Sequence, residues 1–113
     1  MEVDLSAGDL GALPAAVEVA AFRIVAEALT NVVRHAGEAP VSVEVSVADG
    51  AVRIVVSDDG PRLVADDLQP GNGITGMQER ATAVGGHVTV RPGDPRGTVV
   101  EAVLPIALPG TDR

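Results

Sequence analysis

The chain has 113 residues with 46% hydrophobic content, enough for one domain with its own core and too short for two. Its formal net charge of -8 argues against a nucleic-acid backbone or an anionic membrane surface as the main partner, because both reward basic patches. A polyphosphate stays compatible, since backbone amides, a helix N-terminus or a metal ion can receive one.

Cysteine is absent, which removes disulfides and thiolate metal sites, and Phe22 is the only aromatic residue. The core must come from Val, Leu, Ile and Ala. No apolar run reaches the length of a bilayer span and no signal-peptide pattern opens the chain. The expectation is a soluble, cytoplasmic domain with no nucleic-acid partner and no direct membrane contact, excised from a longer protein that is itself open to membrane anchoring.

In chain order, residues 1 to 5 read as a short edge strand, followed by the loop "SAGDLGALP". Pro14 suits the first turn of a helix. From Pro14 to about Ala36 neither Gly nor Pro interrupts a helical pattern, and Gly37 is a natural stop. At about 100° per residue, Ala21, Val25, Ala28, Leu29, Val32 and Ala36 fill one arc. Arg23, Glu27, Asn31, Arg34 and His35 gather on the side opposite. The stretch "VSVEVSV" (41 to 47) alternates as a half-buried strand does, "ADG" (48 to 50) is a hairpin turn, and "AVRIVVS" (51 to 57) is the partner strand. Residues 58 to 75 form a long loop. "GMQERATAVGG" (76 to 86) is a short helix closed by a glycine pair, and "HVTVR" (87 to 91) with "TVVEAVL" (98 to 104) makes a second hairpin. Helix, two strands, loop, helix, two strands predicts an α+β, two-layer α/β sandwich with a mixed, mostly antiparallel sheet covered by helices on one face.

Four constellations carry chemistry. Glu27, Asn31 and His35 lie at i, i+4 and i+8 with Arg34 alongside. A solvated helix face explains such a pattern equally well. However, Asn competes for backbone hydrogen bonds inside a helix, and acid and amide one turn apart suit a Mg²⁺ ion with its water shell. "SDDG" (57 to 60) is ordinary turn chemistry or a carboxylate placed to accept from an exocyclic amine, with Gly60 permitting close approach of a flat ring. "GNGITGM" places Gly71, Gly73 and Gly76 in a G-x-G-x-x-G pattern entering a helix, without the βαβ context of a dinucleotide fold. That leaves a phosphate-favouring helix N-terminus or simple hinges. In "RGTVV", Gly97 and Thr98 open the last strand, where the hydroxyl can back the same pocket or merely suit a strand.

Taken in order, "EALTNVVRHA", "DDG", "GNGITGMQER", "GG" and "GT" resemble the ATP-binding catalytic domain of bacterial two-component sensor histidine kinases, nearest to the nitrate-sensor and lipid-fluidity-sensor-like group. The resemblance runs from about Leu13 to Pro105, with residues 1–113 forming a single domain. It implies the Bergerat ATP-binding fold shared with gyrase-type and heat-shock-chaperone ATPases.

By this resemblance Asn31 would hold the Mg²⁺ that bridges the phosphates, and Glu27 would polarise the attacking group or a metal-bound water. Arg34 and His35 would lie near the phosphates. Asp58 would accept from the adenine amine, with Gly60 and Thr98 completing the base pocket. Gly71, Gly73, Ile74, Gly76 and Met77 would form the phosphate-facing end of a lid over residues 61–75. ATP and Mg²⁺ would be the cofactors, and the γ-phosphoryl would pass to a histidine on a separate helical dimerisation segment of the same kinase, with a response regulator downstream. Neither His35 nor His87 has the setting of that acceptor, so the isolated chain is expected to bind ATP-Mg without phosphorylating itself. The family's Asp-x-Gly-x-Gly box here reads Asp58-Asp59-Gly60-Pro61-Arg62, with Arg62 in place of the second glycine. An anti-sigma-factor-type serine kinase and a degenerate, non-catalytic nucleotide-binding module are the competing readings.

Overall fold

A computed structural model describes residues 3–8, 11–37, 39–61, 74–94 and 96–106. Its elements run β1 (Val3–Ala7), α1 (Ala15–Ala36), β2 (Val41–Ala48), β3 (Ala51–Asp58), α2 (Ile74–Ala83), β4 (His87–Pro92) and β5 (Thr98–Pro105). The strands form one five-stranded sheet in the order β1-β2-β3-β5-β4. The architecture is the expected α+β two-layer sandwich with both helices on one face. α1 packs on β3, β5 and α2, and α2 packs on β4 and β5.

Local chemistry sets the boundaries. Pro14 (φ -56°, ψ 144°) precedes α1, and its carbonyl accepts the first helical bond from Glu18 N–H at 3.0 Å. At the other end Gly37, with φ 62°, donates to Val32 O at 3.1 Å and stops the helix. The β2–β3 hairpin closes through Asp49 and Gly50, both at positive φ (55° and 75°), the signature of a two-residue turn matched to strand twist. α2 ends on the glycine pair, with Gly85 N–H donating to Thr82 O and Gly86 N–H to Ala81 O. It begins at Ile74, two residues earlier than the glycine pattern suggested, so Ile74 and Thr75 are helical.

The sheet differs from expectation at one edge. β1 spans Val3–Ala7 rather than 1 to 5 and pairs in parallel with β2, Val3 opposite Val41 and Ala7 opposite Val45. Every β1 residue is exposed, since the strand lies beyond the cover of the helices. The other described pairings are antiparallel.

The helical phase also needs correction. Val17, Ala20, Ile24, Ala28 and Val32 of α1 are buried, with Ala21, Val25 and Leu29 packed at the edge of that stripe. They meet Val41 and Val43 of β2, Val52, Ile54 and Val56 of β3, Val88 of β4, and Val100, Ala102 and Leu104 of β5. The outer side of the helix carries exposed Val19, Phe22 and Val33 together with Arg23 and Arg34, but not Glu27 and Asn31. Glu27 and Asn31 are half-buried on the flank of the core stripe. Their position beside the core, rather than away from it, is what a site between helix and sheet requires.

On the uncovered sheet face, Glu101 of β5 accepts from Arg53 Nε on β3 and from Arg91 Nη1 on β4, the latter at 3.0 Å. The Arg53 hydrogen bond is the main cause that holds the Glu101 carboxyl below its ordinary value of 4.5; burial acts the other way, and Arg91 adds to the lowering. A carboxylate with a depressed native pKa contributes stability above its unfolded pKa, and that contribution is lost as pH falls through the native value. Urea unfolding between pH 3 and 7 should therefore show a flatter acid limb for Glu101→Gln below about pH 4.5. Both arginines are half-exposed, so the difference stays under about 1 kcal/mol.

Candidate functional site

The covered face of the sheet ends on Asp58. Side chains alternate along a strand, so Asp58 shares the face of buried Ile54 and Val56. It is held in place from several directions. Its Oδ1 accepts the Gly60 N–H at 2.9 Å, an Asx turn, and its own residue pairs with Val41 at the start of β2. The next residue, Asp59, donates its N–H to Pro40 O at 3.2 Å. Among the described residues, no hydrogen bond uses Asp58 Oδ2. The turn therefore occupies one carboxylate oxygen and presents the other.

β5 supplies the second wall. Ser57 pairs with Val99, so Thr98 lies one register step further, alongside Asp58, where it is half-buried. Gly97 precedes it at φ +85°, so close to Asp58 that a Cβ there would sit 1.9 Å from the Asp58 carbonyl oxygen. Only a residue without a side chain lets β5 start this near the end of β3. Gly60 is buried, and the Arg96 Nε donates to its carbonyl at 3.0 Å.

The connectivity brings helical residues to the same end. α1 leads through Gly37–Pro40 into β2, whose first residue pairs with Asp58, so the C-terminal half of α1 lies at this end of the sheet. Asn31 Oδ1 there accepts from Arg34 Nη1 at 3.2 Å, joining two of the expected phosphate-end residues directly. α2 ends next to the start of β4, which pairs with Val103 far from Thr98, so its N-terminus points back toward Asp58. Ile74 is half-buried against the core there, and Gly76 is helical with open space where a Cβ would project. Met77 is fully buried, and its side chain belongs to the core cluster beneath the site. Gly71, Gly73, Arg62 and most of the expected lid over 61–75 lie outside the described residues, as does the side chain of His35.

The same end of the sheet carries a second environment. A depression of about 330 Å³ is lined there by Asp4, Pro40, Val41, Ser42, Ser57, Asp58 and Asp59. Its carboxylates Asp4, Asp58 and Asp59 make it a poor receiver of a polyphosphate. Arg96 escaped the sequence reading because nothing local marks it. Its partner is 36 residues away in the sequence.

Residues 16–108 match the family model described as histidine kinase-, DNA gyrase B-, and HSP90-like ATPase. The chain is similar to the signal transduction histidine-protein kinase/phosphatase UhpB of Salmonella typhimurium, with 37% identity over 86% of this chain and 19% of that protein. It is likewise similar to the sensor histidine kinase LiaS of Bacillus subtilis, at 35% identity over 84% of this chain and 27% of the relative. Among solved structures, the histidine kinase domain of the blue-light activated kinase EL346 of Erythrobacter litoralis superposes with a TM-score of 0.79 at 26% identity, covering 93% of this chain and 51% of that one. The chain spans about a fifth to a quarter of the length of these curated relatives.

Proposed function

The chain belongs to the histidine kinase-, DNA gyrase B-, and HSP90-like ATPase family, and from that membership we propose that it is the ATP-binding catalytic domain of a sensor histidine kinase. It would donate the γ-phosphoryl of ATP to a histidine on a separate helical dimerisation segment, with a response regulator as the downstream partner. The relatives' names as sensor histidine kinases support the histidine branch over a serine kinase. No helix among the described residues is long and apolar enough to cross a membrane.

The observation that carries the base-binding half is the Asp58 turn. Asp58 Oδ1 is committed to Gly60 N–H, which leaves Oδ2 to accept from the exocyclic amine of adenine. Thr98 stands beside it with a hydroxyl able to donate or accept. The phosphates would extend toward the flank of α1, where Asn31 and Arg34 are already joined.

Mg²⁺ fits this donor set. No cluster of three or more His, Cys, Asp or Glu exists among the described residues. Mg²⁺ characteristically takes one or two protein oxygens and completes its shell with water and phosphate. Asn31 Oδ1 would hold the ion, with Glu27 one turn earlier. Bound there, it would neutralise phosphate charge as the γ-phosphoryl departs. The Arg34 guanidinium donates to the Asn31 oxygen in the free domain and would turn to a phosphate, while Glu27 would polarise the attacking group.

The test is a calorimetric titration of the wild-type domain and two variants with ATP-Mg. Asp58→Asn should weaken binding at least tenfold, because an amide presents a donor where the carboxylate accepted. Asn31→Ala should remove most of the Mg²⁺ dependence while sparing metal-free affinity. Wild-type affinity in both variants would mean that the nucleotide binds elsewhere.

A further inference from the structure

Gly60 is gripped through both of its backbone polar groups. Its N–H donates to Asp58 Oδ1 at 2.9 Å, and its carbonyl accepts from Arg96 Nε at 3.0 Å. Arg96 sits in the β4–β5 loop, which is itself closed by Gly93 N–H donating to Gly97 O at 2.8 Å. Gly97, the next residue, rests directly on the Asp58 carbonyl. Two segments distant in sequence thus lock one turn, and the carboxylate orientation depends on that turn.

We infer that Arg96 is a positioning residue for base selection: its bond to the Gly60 carbonyl fixes the Asx turn that aims Asp58 Oδ2 at the exocyclic amine of the purine. The inference rests on the assignment of Asp58 as the amine acceptor. Without Arg96 the Gly60–Pro61 peptide loses its anchor, the φ and ψ of Gly60 are free to change, its N–H leaves Oδ1, and the carboxylate loses its fixed rotamer.

Arg96 has a second contact, an ion pair with Asp59 Oδ1 at 3.9 Å, but the two side chains are 56% and 70% exposed. A pair so open to solvent contributes little. The bond to the part-buried Gly60 carbonyl is therefore the operative one, and Asp59 is dispensable.

The nucleotide itself supplies the discriminating probe. Inosine triphosphate keeps the purine and all three phosphates and replaces the amine with a carbonyl. Affinities for ATP-Mg and inosine triphosphate-Mg are to be measured by calorimetry on the wild type, Arg96→Ala, Arg96→Lys and Asp59→Asn. The wild type should prefer ATP. Arg96→Ala should weaken ATP binding by about threefold to tenfold, the range of one hydrogen bond, and leave inosine triphosphate unchanged. Arg96→Lys, which keeps a donor without the planar fork, should recover part of the preference, and Asp59→Asn should match the wild type.

Equal weakening of both nucleotides by Arg96→Ala would show a merely structural role and overturn the inference. A wild-type preference for ATP that Arg96→Ala leaves intact would overturn it as well, with the Asp58 assignment standing. A wild type that binds both nucleotides equally would overturn the Asp58 assignment itself.

Discussion

Gly97→Ala should abolish measurable ATP binding and lower the stability of the domain by about 3 kcal/mol or more. Two costs combine. The backbone at Gly97 has φ +85°, a region that costs an L-residue roughly 1–2 kcal/mol. The added Cβ would also lie 1.9 Å from the Asp58 carbonyl oxygen, 2.8 Å from its carbon and 3.3 Å from Oδ1. The first two atoms are backbone, so no rotamer change relieves the clash. Either the end of β3 or the start of β5 must move by about an ångström, and catalytic or binding geometry does not survive such a shift. Thermal unfolding by circular dichroism should show a midpoint lower by roughly 10 °C or more. Gly76→Ala is the matched control. Gly76 is helical, lies outside the positive-φ region and has open space at its Cβ, so alanine should raise stability by about 0.5–1 kcal/mol. A Gly97→Ala domain with wild-type midpoint and ATP affinity would show that β3 and β5 need no such close approach.

Ile24→Ala should cost 2–5 kcal/mol, the range for deleting most of a buried aliphatic side chain. Ile24 is wholly buried in α1 and belongs to the cluster with Ile54, Leu104 and Met77. A chain of this length is expected to hold only about 5–15 kcal/mol in total, so the loss is a large share of it. Phe22, two residues earlier and 71% exposed, gives the contrast: Phe22→Ala should stay within about 0.5 kcal/mol of the wild type. Urea unfolding of both variants is sufficient. Comparable losses for the two would place the helix in a different rotation about its axis.

That pair also shows where sequence reading reached its limit. The length of α1 was legible because no Gly or Pro interrupts it, but its rotation was not. Apolar residues surround the helix, with Ile24 inside and Val19, Phe22 and Val33 outside, so several arcs fit the periodicity comparably well. Packing against the sheet selects one. The strands were easier, because alternation leaves only two choices and one places Val52, Ile54 and Val56 together inside. The parallel seating of β1 was illegible, since nothing in five residues encodes a partner reached across a whole helix.

The site divides in the same way. Asp58, Gly60 and Thr98 were readable as a strand end, a turn and a strand start, and the fold brings them together. Asn31 stood out as an unusual residue inside a helix but was set on the wrong face, because its side chain lies beside the core rather than across from it. Met77 carried a motif signal, and its side chain lies in the core. Arg96 carried no signal, because its role depends on a contact between segments that meet only in the folded sheet.

The junction of β3 with β5 has a consequence for how the domain folds. β2–β3 and β4–β5 are each hairpins that close over a few residues, whereas β3 and β5 meet across more than forty. Local closure is fast and distant closure is slow. Asp58 belongs to one hairpin and Gly97 to the other, so neither folding unit contains the proposed adenine floor alone. The Asp58–Gly97 junction is therefore expected to form only when the two units dock, late on the path to the native state. ATP should accordingly leave the refolding rate nearly unchanged and act by slowing unfolding, as expected of an interaction absent from the transition state.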